Sequence, residues 1–153
     1  MNNIFTKNDF LIVLRGLKTK YPDFINKVFV SPEKNTNELV FVLQTSIPNF
    51  SIKIFSSIPY TSNTPREKGE DAIRVIPLFF NRPYTLIPKT SRVNRTINWN
   101  KSLENRVISI RNAVSIYICP KCNHLLLLRK NKTNTKFLGC SNYPNCKYTK
   151  SLS

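Results

Sequence analysis

Apolar positions recur at three- to four-residue spacing over Thr6 to Tyr21, where Phe10, Val13, Leu14, Leu17 and Tyr21 align and Arg15, Lys18 and Lys20 fall elsewhere. That period predicts an amphipathic helix. Thr6 or Asn8 can cap its start, and Pro22 sits just past its end. The period then shortens. Lys27 to Val30, Glu38 to Gln44 and Phe50 to Ile58 are short runs rich in Val, Ile and Phe, bounded by turn residues, and predict strands. Ser31 to Asn37 reads as a hairpin loop. In the third run Phe50, Ile52, Ile54 and Ile58 share one face while Ser51, Lys53 and Ser57 mark the other, as in a sheet with a core side and a wetter side.

A polar loop, Pro59 to Gly69, leads to a fourth predicted strand, Ala72 to Phe80, whose apolar run Arg74 interrupts. Pro77 places that strand at an edge or a bulge. Asn81-Arg82-Pro83 turns the chain into a short segment, Tyr84 to Ile87. Asn100 to Val114 predicts a second helix, with Leu103, Val107, Ile110 and Val114 on one stripe and Arg106 and Arg111 off it. The expected fold is therefore α+β: a helix, a small antiparallel sheet of three or four strands and a second helix over residues 1–115, followed by a different kind of module over 116–153.

That module contains all four cysteines of the 153-residue chain, as Cys119-Pro120-Lys121-Cys122 and Cys140-Ser141-Asn142-Tyr143-Pro144-Asn145-Cys146. The 17 residues between the pairs read as a hairpin, with His124 to Lys130 going out, Asn131 to Asn134 turning and Thr135 to Gly139 returning. Two short thiolate chelates joined by a hairpin suit tetrahedral Zn2+, a borderline-soft d10 ion that needs only four ligands. Cys119, Cys122, Cys140 and Cys146 are thus the expected ligands of one structural zinc. Two disulfides or a redox Cys-x-x-Cys are the alternatives. Met1 to Phe10 does not look like a secretory signal or an Arg-rich transit peptide, which speaks against the oxidised form. A redox pair would leave the second cysteine pair unexplained. His124, the single histidine, is a fifth ligand candidate, better suited to flanking a knuckle or contacting nucleic acid.

The two cysteine knuckles, the apolar run ending in Arg129, and Phe137-Leu138-Gly139-Cys140-Ser141-Asn142-Tyr143-Pro144 with Cys146-Lys147-Tyr148 closely resemble the C-terminal four-cysteine zinc ribbon of bacterial type IA DNA topoisomerases. The resemblance covers residues 117–150 and implies a zinc ribbon that binds single-stranded DNA. Asn123 stands where that family usually has glycine, and Asn131-Lys132-Thr133-Asn134 replaces a glycine-rich turn. A topoisomerase catalytic core is far longer than this chain, so that activity is not expected.

Charge sharpens the picture. The net charge is +16; residues 1–71 hold nine Lys and Arg against seven Asp and Glu, whereas 72–153 hold 15 against Glu104 alone. So basic a half-chain points to a polyanion, nucleic acid before an anionic membrane, because no basic amphipathic helix with a bulky apolar face stands out. No apolar run approaches the roughly 18 residues of a membrane span. The abundance of Asn, Ile, Lys and Phe hints at AT-rich coding, as in phages, organelles and some parasites, and an intracellular setting is expected, in the cytoplasm, a nucleoid or an organelle matrix.

In the ribbon Lys121, Arg129, Lys130, Lys132, Lys136, Lys147 and Lys150 meet no carboxylate, and Phe137, Tyr143 and Tyr148 are interleaved with them. Cations follow a phosphate backbone and aromatic faces stack exposed bases, the arrangement of single-strand binding. One of the three aromatics, Phe137 in particular, is expected to fill the ribbon's small core. Lys89, Arg92 and Arg95 suit phosphate contacts, and Trp99 either stacks a base or packs under the second helix. Arg74 either contacts phosphate or pairs with Glu70 or Asp71. Leu125 to Leu128 is more apolar than a small ribbon needs, so one face should dock on the first region or on a partner.

Enzyme chemistry has little support, since only Glu38, Glu67, Glu70 and Asp71 offer converging carboxylates for a metal-dependent nuclease. The expected function is non-catalytic, zinc-dependent binding of single-stranded DNA in replication, repair or recombination. The alternative is a structural rRNA-binding subunit of a divergent ribosome or another ribonucleoprotein, and less favoured is a nuclease or repair accessory.

Overall fold

A computed structural model of the chain describes residues 7–31, 38–57, 73–80, 82–87, 91–93 and 99–152. Helix α1 (Lys7–Lys20) precedes four long strands, β1 (Ile25–Val30), β2 (Glu38–Thr45), β3 (Phe50–Ser57) and β4 (Ile73–Phe79). Two short strands, β5 (Arg82–Pro83) and β6 (Ser91–Val93), lead to α2 (Trp99–Ser115). The ribbon follows as β7 (Leu126–Lys130), β8 (Lys136–Cys140) and β9 (Thr149–Ser151). The α+β class holds, with two antiparallel sheets: six strands in the order β1-β2-β3-β4-β5 with β6 also on β4, and three in the order β7-β8-β9.

Both helices bury the stripes that their periodicity marks. Phe10, Leu14 and Leu17 of α1 and Leu103, Val107, Ile110 and Val114 of α2 are buried against Phe41, Leu43, Ile52, Ile54, Ile73 and Val75. These sheet residues share one pleat face, so the helices form one layer on a single side of the sheet. Asp9 in the first turn of α1 and Lys18 and Lys20 in its last complement the helix dipole. The two helices are tied at the surface, where Glu104 accepts from Lys20 at 2.6 Å and from the Tyr21 hydroxyl at 2.8 Å.

Two details differ from expectation. Strand β4 is interior: β3 lies along one side, while β6 pairs with Ile73 to Val75 and β5 with Leu78 and Phe79 on the other. Pro77 falls in the gap between those two short strands, and its carbonyl accepts from the Tyr84 N–H at 3.3 Å. The missing proline N–H faces that same gap, so no ladder bond is lost. Lys53, on the supposedly wetter face, is 8% exposed; its stem lies between Val42 and Ile76 of the neighbouring strands. Ser56, on the core face, is buried.

The ribbon is not tethered at a distance. Leu125 is fully buried within the helix–sheet core, and Tyr117, Ile118 and Leu127 pack against the same cluster. In return Leu86 packs against the ribbon's own cluster of Cys119, Leu126, Leu138, Cys140 and Cys146. The Tyr84 hydroxyl donates to the Leu126 carbonyl, and the Leu126 N–H donates to the Tyr117 carbonyl at 2.7 Å. Burial pushes the Tyr84 phenol pKa up, so it remains a donor. The excess apolarity of Leu125 to Leu128 is thereby explained for Leu125, Leu126 and Leu127, whereas Leu128 is exposed.

Candidate metal centre and nucleic-acid interface

Each cysteine pair sits on a tight knuckle. In the first, the Asn123 N–H donates to the Cys119 carbonyl at 2.9 Å and the Cys119 N–H to the His124 carbonyl at 2.7 Å. Closing this turn requires a left-handed residue, and Asn123 supplies it with φ 65°. Asn134 does the same in the β7–β8 turn, with φ 67°. Asparagine is the side chain that best tolerates this region after glycine, which is how the ribbon keeps its turns without glycine at either place. In the second knuckle, the Asn145 and Cys146 N–H groups donate to the Asn142 carbonyl at 2.9 and 3.2 Å.

The two knuckles bring the four Sγ atoms within 4.8 Å of one another. Cys119 and Cys146 are 3.7 Å apart and Cys122 and Cys140 3.2 Å apart, and all four are free thiols. A tetrahedron with Zn–S bonds of about 2.3 Å has edges of about 3.8 Å, so the spacing fits zinc. The Asn142 N–H points at the Cys140 sulfur at 3.4 Å, and amides of His124 and Tyr148 serve Cys122 and Cys146, stabilising thiolate charge. In the metal-free quartet burial disfavours the Cys122 thiolate, yet the His124 amide and the neighbouring thiols outweigh burial and bring it down to about 6. Burial pushes Cys140 up to about 12. Protons therefore compete with metal, and zinc affinity falls as pH falls. His124 is no fifth ligand: its Nδ1 lies 3.1 Å from the Cys122 carbonyl, bracing the knuckle.

Residues 116–153 match the family described as topoisomerase DNA-binding C4 zinc finger. They are a topoisomerase-type C4 zinc ribbon. Zinc bound here has all four positions filled by sulfur, so it organises the chain and leaves no open site for catalysis. Similar proteins are each named DNA topoisomerase 1. That of Archaeoglobus fulgidus is 31% identical over 58 residues, covering 38% of this chain and 9% of its own length. That of Methanocaldococcus jannaschii is 56% identical over 36 residues, 24% of this chain and 5% of its own. That of Mycoplasma pneumoniae is 61% identical over 31 residues, 20% and 4% respectively. The chain thus spans less than a tenth of these curated relatives. No solved structure matches it significantly.

On the ribbon, five of the side chains singled out from sequence converge. Arg129, Phe137, Tyr143, Lys147 and Tyr148 line one mostly apolar cleft of about 240 Å³, with Gly139 in its wall. A Cβ at Gly139 would come within 2.8 Å of the Arg129 Cδ, so the absent side chain is what lets Arg129 lie across β8. Tyr143 is 63% exposed; Phe137 and Tyr148 are half-buried. Phe137, expected in the ribbon's small core, lines the cleft, whereas Tyr148 both lines the cleft and packs, with Tyr117, against the cysteine cluster. Lys130, Lys132 and Lys136 are exposed at the β7–β8 turn, and Lys121 is exposed on the first knuckle. Thr149 and Gly139 complete the cleft; a lone glycine inside a strand was the only sequence signal for them.

The other sequence candidates do not join this cleft. Lys89 and Arg95 lie outside the described residues, as do Glu67, Glu70 and Asp71, and of Arg92 only the backbone is described, paired with Arg74 in the β4–β6 ladder. Trp99 is half-buried at the start of α2, packed against the helix–sheet core with its ring 4.9 Å from that of Phe10. The Arg74 guanidinium lies 4.6 Å from the centre of the Phe55 ring. Among the described residues the cysteine quartet is the only grouping of three or more metal-ligating side chains. Among them, too, no helix is long and apolar enough to cross a membrane.

Proposed function

We propose that this chain is a non-catalytic, intracellular nucleic-acid-binding protein with two units, 1–115 and 116–153, and that its ligand is single-stranded DNA. The observation that carries this reading is the ribbon cleft, in which a guanidinium, an ammonium and three aromatic rings share one opening. Such a site grips a phosphate beside an unstacked base; a duplex keeps its bases inside the stack and offers little to Tyr143. The lysines at the β7–β8 turn extend the positive path along the strand, and their contacts are blind to sequence. The names of the similar proteins and the family description support DNA as the polymer.

The test is binding of the zinc-loaded protein to matched single-stranded DNA, single-stranded RNA and duplex across a salt titration. Single-stranded DNA should bind best, with a steep salt slope. Tyr143→Ala should weaken it by about 1–3 kcal/mol, the value of one stacked base, with zinc content unchanged. Unaltered affinity in that variant sinks the stacking assignment. Tighter binding of structured RNA moves the protein to a ribonucleoprotein role.

A further inference from the structure

The helices cover one face of the large sheet, and at the β2–β3 turn a second, larger cleft of about 540 Å³ opens and spreads over the other face. Its wall combines the rings of Phe29 and Phe80 with the exposed amides of Asn26, Gln44 and Asn49. The Lys27 ammonium lies 5.4 Å from the ring centre of Phe29, one of the lining residues. Amides that read base edges, rings that stack bases and a cation for phosphate are the components of a nucleotide site, and the volume is that of an ordinary ligand pocket.

Phe80 is the telling residue. It is 61% exposed and has φ 52°, a left-handed conformation that a bulky aromatic rarely adopts. Its N–H donates to the carbonyl of Asn49, itself at φ 64°, at 3.0 Å, and its ring meets Phe79 edge-on at 4.6 Å. Two turns thus hold a solvent-facing ring in a strained pose, a combination that core packing does not explain. Phe80 also lines a neighbouring groove with Arg82, Thr85 and Leu127. Leu127 lies two residues before Arg129 on the same face of β7, and Arg129 opens into the ribbon cleft.

We infer that the single-stranded DNA track continues from the ribbon cleft over Leu127 and Arg82 to Phe80, where a second unstacked base enters the cleft at the β2–β3 turn. This rests on the reading of the ribbon as a single-strand binder and lengthens its site. The direct docking of ribbon on sheet holds the two clefts in one frame, so a long strand engages both and a short one only the ribbon. The +16 charge of the chain favours such an anionic occupant.

The experiment compares oligothymidylates of about 4 and about 15 nucleotides on the zinc-loaded full chain. Phe80→Ala should weaken the long strand about tenfold and leave the short one unchanged. Arg82→Gln should lower the salt slope of the long strand by about 1. Phe80→Gly should weaken the long strand equally while raising the melting temperature, since glycine relieves the left-handed strain. Tyr143→Ala should weaken both lengths. If Phe80→Ala changes neither length, or both alike, while Tyr143→Ala still weakens both, the extended track is overturned and the ribbon reading stands. If Tyr143→Ala changes neither, the ribbon reading falls and takes the track with it. Tighter binding of a matched RNA overturns the DNA assignment of the track.

Discussion

Phe10, Phe41, Phe50, Ile52, Ile54 and Leu103 are all fully buried in the helix–sheet region, whereas the ribbon's own buried cluster is two leucines, Leu126 and Leu138, among three cysteines. The first region offsets its chain entropy by removing large apolar side chains from water. A cluster as small as the second cannot, and the ribbon depends on metal–thiolate bonds and on borrowing. It lends Leu125 to the larger core and takes Leu86 in exchange. A small metal module is thus stabilised twice, from inside by its ion and from outside by the surface on which it docks.

The largest effect should come from removing the ion. Structural zinc supplies about 10–16 kcal/mol in isolated zinc-finger peptides at neutral pH. Chelation, or Cys140→Ala, should therefore unfold β7 to β9 and leave the helices formed, read as lost amide protection over Leu126–Lys130 and Lys136–Cys140 with helical circular dichroism retained. Complete unfolding would mean that the larger core is not self-sufficient, and the contrast between the regions would collapse. Acidification should act in the same direction, because protonated thiols release metal.

Next in size is Leu125→Ala. Emptying a fully buried leucine site should cost about 2–5 kcal/mol, and because that site belongs to the helix–sheet core the loss should appear in the main urea transition of the zinc-loaded protein. A loss confined to the ribbon would show that the shared core does not couple the two. The smallest effect expected is that of Tyr84→Phe, which leaves the ring in place but strips the Leu126 carbonyl of its donor. About 1–3 kcal/mol should be lost, measured by the same denaturation. A neutral result would put water at that carbonyl and leave apolar contact alone to dock the ribbon.

Periodicity and spacing encode both helices, the four long strands and the cysteine knuckles. The α2 stripe of Leu103, Val107, Ile110 and Val114 is the buried stripe, and the knuckle spacing names the four sulfurs that meet. Strand β6 has no signature in the sequence because three residues have no period, and it lies in a basic stretch that reads as a contact segment. Tyr84 looked like part of a short connection, since nothing local reveals that its hydroxyl serves a carbonyl 42 residues away.

The sequence alone determined the α+β class, the zinc ligands and the basic, aromatic character of the ribbon, because chelate spacing, side-chain period and charge are properties of neighbours along the chain. Tertiary structure alone decided how those residues are used. It put Trp99 on Phe10, set Tyr148 against both the cysteine cluster and the cleft, turned Phe137 to the cleft, laid Arg129 over Gly139, and left Phe80 facing solvent between two grooves. Each of those outcomes depends on which distant surface a side chain meets, and hydropathy does not encode distance.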